Sequence, residues 1–147
     1  MLTGVDTTFL VELELLEHPR HASSRRFLER HLEAGGRLAL APQVLVELVH
    51  VVTDPRRFER PLSVSGAAGR AALWWRAAEV EQVRPDAAAV DLFTRWMREL
   101  GLGRKRILDT MLAATYAAAG IRTLVTSNPR DFGRLQAFDV VVPHRPQ

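Results

Sequence analysis

Short apolar segments alternate with longer helix-forming segments along this chain of 147 residues, and this alternation limits its possible folds more than any other feature. Four of the short segments are β-like, and they cover residues 2–6, 38–41, 123–126 and 140–142. Strands that alternate with helices predict a parallel sheet covered by helices on both faces. The sequence therefore predicts an α/β fold in which a central, mostly parallel sheet is flanked by helices.

The segments between the strands predict six helices. They cover residues 9–17, 25–34, 42–53, 67–80, 87–100 and 107–119, and most end at Gly or Pro. Residues 56–66 are predicted to form a loop, and residues 83–85 a short edge strand. The length favours one compact domain over residues 1–147.

Composition excludes several classes of protein. The chain has no cysteine, which excludes disulfides and thiolate metal sites. It has no secretory signal pattern, and charged residues or proline interrupt every apolar stretch before it reaches membrane-spanning length. We therefore expect a cytoplasmic protein that does not use a membrane as a partner.

The charge of the chain comes mostly from arginine. The net charge is +3, the sequence pI is about 10.5, and Lys105 is the only lysine. The planar guanidinium group binds phosphate well, so nucleic acid is a reasonable partner. A GC-rich genome would also enrich the chain in Ala and Arg, and composition alone leaves nucleic-acid binding and no binding equally open.

Three acidic residues stand in apolar surroundings. Asp6 closes the first predicted strand, Glu47 shares a helix face with Val44 and Val51, and Asp109 lies in an apolar helical stripe. We expect the faces that carry Glu47 and Asp109 to point inward. Carboxylates are rarely buried unless they are paired or bound to a metal. Three of them at one place would form an oxygen-rich site for a hard divalent cation.

Each acid also has a simpler explanation when it is taken alone. Asp6 follows a strand and could cap the next helix. Glu47 and Asp109 could each form an ion pair, and Arg106, three residues before Asp109, is an obvious partner for the latter. The coincidence of three acids is what favours a metal site. Asp6 and Asn128 lie at predicted carboxyl ends of strands, and Glu47 lies early in a helix that follows a strand, so all three should line one edge of the sheet.

Other catalytic patterns are missing. The sequence has no phosphate-binding glycine loop, no H-E-x-x-H and no G-x-S-x-G, and its five histidines lack zinc-site spacing. An aspartyl phosphatase would carry a second Asp two residues after Asp6, where Thr8 stands. Trp74 and Trp75 are expected to serve core packing or an oligomer interface.

Four blocks of the sequence resemble the PIN domain family, and within it the VapC-type ribonuclease toxins of bacterial toxin–antitoxin pairs. The blocks are residues 4–8, 46–48, 108–116 and 126–132, and residues 54–63 resemble a loop found in many of these toxins. The resemblance implies a three-layer PIN-like fold over nearly the whole chain.

The resemblance also implies a set of catalytic residues. The family's three acids correspond to Asp6, Glu47 and Asp109; its fourth polar position corresponds to Asn128, with Thr126 as a neighbouring hydroxyl. Members with an acid at the fourth position differ from this chain, in which Asp131 could supply an acid from the same loop. Whether Asn128 or Asp131 completes the metal site, and whether it holds one ion or two, stays open.

The implied activity is cleavage of RNA by water, dependent on Mg²⁺ or Mn²⁺, which leaves a 5′-phosphate and a 3′-hydroxyl. Asp6 and Asp109 would hold the ion, and Glu47 would bind the ion or orient the attacking water. Candidate contacts to RNA phosphates are Arg104, Lys105, Arg106, Arg56 and Arg57, although each could equally be a solvated surface residue.

The resemblance also implies partners. They are an RNA substrate, a small cognate antitoxin that docks beside the acidic pocket, and a second copy of the chain in a homodimer. Two other functions fit the same residues. One is a PIN-like module that binds RNA or protein with little or no catalysis, which the uncharged Asn128 keeps open. The other is a nuclease of structured DNA.

Overall fold

The computed structural model describes residues 1–145 and contains one five-stranded sheet. The strands are β1 (Leu2–Val5), β2 (Arg37–Leu40), β3 (Val80–Gln82), β4 (Thr123–Val125) and β5 (Asp139–Val141). Every neighbouring pair of strands is parallel, in the order β3-β2-β1-β4-β5. The predicted α/β fold is confirmed, and the sheet is parallel throughout.

Six α-helices flank this sheet. They are α1 (Thr7–Glu14), α2 (His21–Glu33), α3 (Pro42–Val52), α4 (Val64–Arg76), α5 (Ala87–Glu99) and α6 (Ile107–Ala118). Short 3-10 helices cover Arg104–Arg106, Pro129–Asp131 and Gly133–Leu135. Within residues 1–145, none of the helices combines the length and apolar character needed to cross a bilayer.

The strand order changes direction once, and this change creates the position of the site. The chain runs from β1 outward to β2 and β3, and then crosses back to place β4 on the other side of β1. Right-handed crossovers put the helices before and after this change on opposite faces, which gives three layers. In such sheets ligands bind beyond the carboxyl ends of the strands at the switch point, which here lies between β1 and β4.

The predicted edge strand and the helix before it are displaced along the sequence. The edge strand lies at Val80–Gln82 instead of residues 83–85, and α4 begins at Val64, inside the predicted loop. The side chain of Ser63 accepts a hydrogen bond from the backbone N–H of Gly66 and starts this helix early. Val80 then pairs with Leu38 of β2, and this long-range pairing prevails over local helix propensity.

Tyr116 of α6 ties together the ends of the two central strands. Its ring is fully buried, and its hydroxyl donates to Val5 O at 2.6 Å and accepts from Ala41 N at 3.3 Å. Burial raises the pKa of Tyr116, so the hydroxyl keeps the proton that it donates. The ring packs against β1 where Gly4 has no side chain: a Cβ there would lie 3.0 Å from Tyr116 Cδ2.

This contact predicts that Gly4→Ala destabilises the fold. The ring of Tyr116 cannot shift because its hydroxyl is bonded on both sides, so the added methyl group should lower the free energy of unfolding by about 1–3 kcal/mol. Gly69→Ala is the matched control. Gly69 lies inside α4, where an added methyl group would meet no neighbouring group within 4 Å, so alanine should raise stability by about 0.5–1 kcal/mol there. Denaturant unfolding of both variants measures the difference, and equal effects would contradict the packing argument.

Candidate active site

Asp6 lies directly after the central strand β1 and is almost fully buried, with 4% of its surface exposed. Its carboxylate accepts hydrogen bonds from Thr7 N at 2.8 Å, Thr8 Oγ1 at 3.1 Å and Thr126 Oγ1 at 2.7 Å. Burial raises the pKa of Asp6 to about 6, although these three bonds oppose the rise. Asp6 therefore caps α1, as its sequence position allowed, and also lies in a cluster of polar groups.

The turn after β4 supplies the other half of this cluster. Thr126 is fully buried, and its hydroxyl also accepts a hydrogen bond from Asn128 N at 3.0 Å. Ser127 N donates to Thr8 Oγ1 at 3.1 Å. The residue Asn128 itself is exposed. The carboxyl ends of β1 and β4 are thus joined through hydroxyl groups, at the point where the topology predicts a binding site.

Glu47 was expected to point inward, and this prediction was wrong: the residue is exposed. The buried stripe of α3 consists of Val44, Leu48 and Val52, spaced four residues apart, and Glu47 lies at the border of that stripe. Its position is nevertheless fixed, because Glu47 Oε2 accepts a hydrogen bond from Thr7 Oγ1 at 3.0 Å. Glu47 therefore forms the rim of the site and is linked to Asp6 through the intervening Thr7.

Asp109 lies in the first turn of α6 and is partly buried. Burial raises the pKa of Asp109 to about 7, and the negative charges of Asp6, Asp131 and Glu47 contribute to the rise. The ion pair with Arg106 that could have explained Asp109 does not form, because Arg106 Nη1 donates to Asp131 Oδ1 instead. The positive charge of Arg106 still opposes the rise in the pKa of Asp109. In the part of the chain that the structure describes, the Asp109 carboxylate has neither a hydrogen bond nor an ion pair.

The three acids influence one another's charge without forming a closed ligand set. Within residues 1–145, no group of three His, Asp or Glu side chains stands close enough to hold a metal ion as positioned. The donor chemistry still fits a hard divalent cation, since the carboxylates of Asp6 and Asp109 have raised pKa values and Glu47 lies near both. Ser127 Oγ is also buried beside them and has no hydrogen-bond partner among the described residues. A cation here would offset the repulsion among the acids.

The basic residues before α6 differ in their surroundings. Arg104 and Lys105 are exposed on the short 3-10 helix that leads into α6. Arg106 is partly buried and held by Asp131, which neutralises part of the charge of both groups. Arg104 and Lys105 are therefore more available to an anionic ligand than Arg106.

The two basic residues of the loop after α3 also differ. Both contact the carboxylate of Asp54, with Arg56 Nε at 3.3 Å and Arg57 Nε at 3.7 Å. The Arg56 side chain is 89% exposed, whereas Arg57 lines a groove that reaches the acidic cluster. The sequence did not distinguish these two neighbours, because the difference depends on how the loop folds back on the protein.

The hydroxyls of Thr7, Thr8 and Ser127 were not selected from the sequence. A usable signal existed: each lies within three residues of the carboxyl end of a strand, where parallel sheets place their sites. Threonine and serine are common after strands as helix caps, and this ordinary use concealed their contacts with the acids.

Comparison with known proteins places this arrangement in a family. Residues 4–137 match the PIN domain. The chain belongs to the PIN domain family. No curated protein matches the sequence at a significant level.

Solved structures with the same fold as this PIN domain come from several toxin–antitoxin systems. VapBC2 from Rickettsia felis, bound to a DNA fragment from its promoter, matches with a TM-score of 0.68 and 19% identity over 97% of this chain and 98% of that chain. VapBC-1 from nontypeable Haemophilus influenzae matches with a TM-score of 0.71 and 14% identity, over 99% of this chain and 100% of that chain. VapC20 from Mycobacterium tuberculosis, a sarcin-ricin loop cleaving toxin, matches with a TM-score of 0.61 and 20% identity, over 84% of this chain and 87% of that chain. At these identities the likeness shows the fold.

The unpaired carboxylate of Asp109 predicts that Asp109→Asn stabilises the metal-free PIN domain. The pKa of Asp109 rises from 3.8 to about 7 on folding, so its ionisation opposes folding increasingly as the pH rises between these values. Because the group is partly exposed, screening reduces the gain to about 1–2 kcal/mol, or roughly 2–6 °C in Tm.

Thermal unfolding in EDTA measures this gain. It should be complete above about pH 7 and disappear below about pH 4, where the carboxyl is protonated in both states. Asp91→Asn, on the exposed surface of α5, is the control and should leave Tm unchanged at both pH values. A gain that is independent of pH would contradict an origin in the charge of Asp109.

Proposed function

We propose that this PIN domain is a cytoplasmic, metal-dependent endoribonuclease and the toxin of a toxin–antitoxin pair. The observation that carries the proposal is the unpaired, charge-repelled Asp109 beside the buried Asp6 at the switch point of the sheet. Carboxylates with raised pKa values in such a position favour a functional site over a structural one. The family match and the toxin structures that share the fold support ribonuclease activity.

Each polar residue of the site has a role in this proposal. Asp6 and Asp109 would hold Mg²⁺ or Mn²⁺, which lowers the pKa of a bound water and neutralises charge on the scissile phosphate. Thr126 keeps the Asp6 carboxylate oriented through its 2.7 Å hydrogen bond. Glu47, which Thr7 holds at the rim, would bind the ion or orient the attacking water.

Asn128 is a better candidate than Asp131 for the fourth polar residue of the metal site. Asp131 accepts a hydrogen bond from Arg106, and this ion pair competes with any metal for the carboxylate. Asn128 is held by its backbone N–H on Thr126 and has an exposed side chain with an amide oxygen that can bind a hard cation or its water. Asn128 adds no charge, which favours one tightly held ion over two.

Basic residues on two sides of the site would bring RNA to this acidic centre. Arg104, Lys105 and Arg106 precede α6, and Arg56 and Arg57 lie on the loop after α3. Contacts to phosphate from such residues position a nucleic acid and make its affinity depend on salt. Removing Arg56, Arg57, Arg104 or Lys105 should weaken RNA binding without changing the carboxylates of the site. Removing Arg106 would also free the Asp131 carboxylate and take away a positive charge that acts on Asp109.

An exposed apolar surface next to the acids supports a protein partner. Val46 and Leu108, the latter 74% exposed, line a hollow of about 360 Å³ together with Glu47 and Asp109. A segment that covers this surface with apolar side chains and places an arginine near the carboxylates would complement both its hydrophobicity and its charge. An antitoxin of this kind would block the site directly. The structures that share the fold include toxin–antitoxin complexes.

Homodimerisation is part of the same proposal. Trp74 and Trp75 are partly buried against the core, so they offer less free surface than the sequence suggested. Leu73 on the same helix is well exposed and provides an apolar contact for a second copy. Measurement of the mass in solution with Leu73→Glu would test this face.

A binding module without strong catalysis is the second candidate. The observation that favours it is the lack of a ready-made set of three metal-binding side chains within residues 1–145, together with the uncharged Asn128. RNA that is bound but not cut in the presence of Mn²⁺ would support it.

Incubation of the purified protein with total cellular RNA, with and without Mn²⁺, tests the ribonuclease. We expect defined cuts that leave 5′-phosphates and that EDTA abolishes. Asp6→Asn and Asp109→Asn should each lower the cleavage rate at least about a hundredfold, because each removes a negative ligand from the ion. Asp91→Asn is the control for loss of a distant acid. Cleavage by Asp109→Asn at the rate of the unaltered protein would rule out the assignment.

Coexpression with the product of the adjacent upstream gene tests the partner. We expect a complex that inhibits cleavage, and Leu108→Glu should weaken it at least about tenfold because a buried, unpaired carboxylate opposes association. Leu16→Glu alters a leucine that is 83% exposed away from this hollow and should leave the complex intact. Equal effects of both substitutions would show that the partner does not cover the surface next to Asp109.

A further inference from the structure

A groove of about 620 Å³ extends from the acidic cluster across the protein surface. Its near end is lined by Thr8, Glu47 and Asn128. Its far end is lined by His18, Arg20, Arg57 and Phe58. The volume lies within the roughly 300–1,000 Å³ of pockets that enclose a small organic ligand. The far end combines an aromatic ring with two arginines, the chemistry that binds a nucleotide. Each arginine also contacts a carboxylate at long range, Arg20 that of Glu12 at 3.8 Å and Arg57 that of Asp54 at 3.7 Å, so a phosphate would share these guanidinium groups with the two acids.

Backbone N–H groups hold the loop that carries Arg57 and Phe58 in place by donating to the Glu17 carboxylate and to the backbone carbonyl of Asp54. The carboxylate of Glu17 accepts from Glu59 N at 3.2 Å and Arg60 N at 2.8 Å. On the other side, Asp54 O accepts from Phe58 N at 3.3 Å. Phe58 is partly buried against the core and contributes to the groove wall. The ring is thus fixed before any ligand arrives, which reduces the entropy lost on binding.

Glu12 also lines the groove, next to Arg20 and His18. Arg20 Nη1 lies 3.8 Å from Oε1 of Glu12, a buried residue whose other carboxylate oxygen accepts a hydrogen bond from Ser24. His18 Nδ1 accepts from Arg20 N at 3.1 Å, which leaves Nε2 to carry the ring proton as a donor. Partial burial lowers the pKa of His18 and favours this neutral form.

We propose, on the basis of the ribonuclease function above, that this groove binds an unpaired nucleotide next to the scissile phosphate, with its base against Phe58 and a phosphate on Arg20 and Arg57. A base can stack on an aromatic ring only when it has left its own helix, so the substrate class is single-stranded or loop RNA. Stacking on an aromatic side chain is a general source of affinity for unpaired bases. The His18 donor gives the groove a means to prefer some bases over others.

Binding of a short random-sequence single-stranded RNA in an Asp109→Asn background tests the groove apart from catalysis. Phe58→Leu keeps the apolar packing but loses the aromatic face, and should weaken binding about tenfold. Phe58→Tyr keeps an aromatic ring at this position and should bind the RNA as tightly as the protein with Phe58. Arg57→Gln should weaken binding and lower the slope of log affinity against log salt by about 0.7. A duplex of the same sequences should bind more weakly than the single strand.

Two other arginines serve as comparisons. Among the described residues, the ion pair of Arg25 on α2 is with Glu29 at 3.2 Å, away from the groove, so Arg25→Gln should not change binding. Arg56 lies next to Arg57 but outside the groove, and Arg56→Gln should weaken binding less than Arg57→Gln. In the catalytically active protein, Phe58→Leu should alter the distribution of cut ends in total RNA.

The outcomes separate this inference from the proposed activity. Tight binding by both Phe58→Leu and Arg57→Gln, or equal affinity for duplex and single strand, would overturn the groove assignment even if the unaltered protein cuts RNA. Lack of Mn²⁺-dependent cleavage by the unaltered protein would overturn the ribonuclease instead, whatever the binding results.

Discussion

The Asp6 carboxylate stays buried at the end of the central strand because two hydroxyls and one backbone amide surround it. One of these donors, Thr126, directly follows β4, so the bond also fixes the distance between two strands that adjoin only because the chain reverses its direction of travel across the sheet. Tyr116 adds a second tie, from α6 to the ends of β1 and β2. The helix that carries Asp109 is therefore anchored to the same strand ends as Asp6. Asp6 and Asp109 are therefore positioned by this small set of bonds to the central strands, and Glu47 by its hydrogen bond with Thr7.

The Asp6 carboxylate has three hydrogen-bond donors, whereas Asp109 is repelled by three other acids and attracted only by the charge of Arg106, with which it forms no ion pair. A site of this kind opposes folding in the absence of a cation, because charges held close together cannot separate as they do in the unfolded chain. The surrounding core must supply the compensating stability, and the packing of Tyr116 on Gly4 is one part of it. If Asp109 has the role proposed for it, stability and function act against each other at this residue, as is common where a site needs charge in a partly dry environment.

The sequence was sufficient to predict the layers of the fold, because strand and helix periods differ and four of the strands, β1, β2, β4 and β5, lie in short apolar segments. It was less informative where distant contacts decide the outcome. The pairing of Val80 with Leu38 moved the edge strand, and no local pattern reports that pairing. Glu47 was placed inward because it shares a helix face with Val44, yet it lies at the border of the buried stripe of Val44, Leu48 and Val52 and is exposed. The groove could not be predicted, since its walls come from the α1–α2 connection and the loop after α3.

The hydrogen bonds and ion pairs that each carboxylate forms separate the structural acids from the proposed functional one. Glu14 binds Arg70 and Trp74 and so joins α1 to α4, with its oxygens 2.6–3.0 Å from three donors. Glu17 and Asp54 accept backbone amides and thereby hold the loop that carries Phe58. These carboxylates already accept hydrogen bonds from the protein, so a cation would have to compete with existing bonds to reach them. Asp109 has no such bond within the described chain, although it lies among other negative charges. A buried or half-buried charge without a partner is unfavourable unless something outside the chain completes it. The imbalance at Asp109, more than the number of acids nearby, is therefore the strongest physical argument that this edge of the sheet binds a cation.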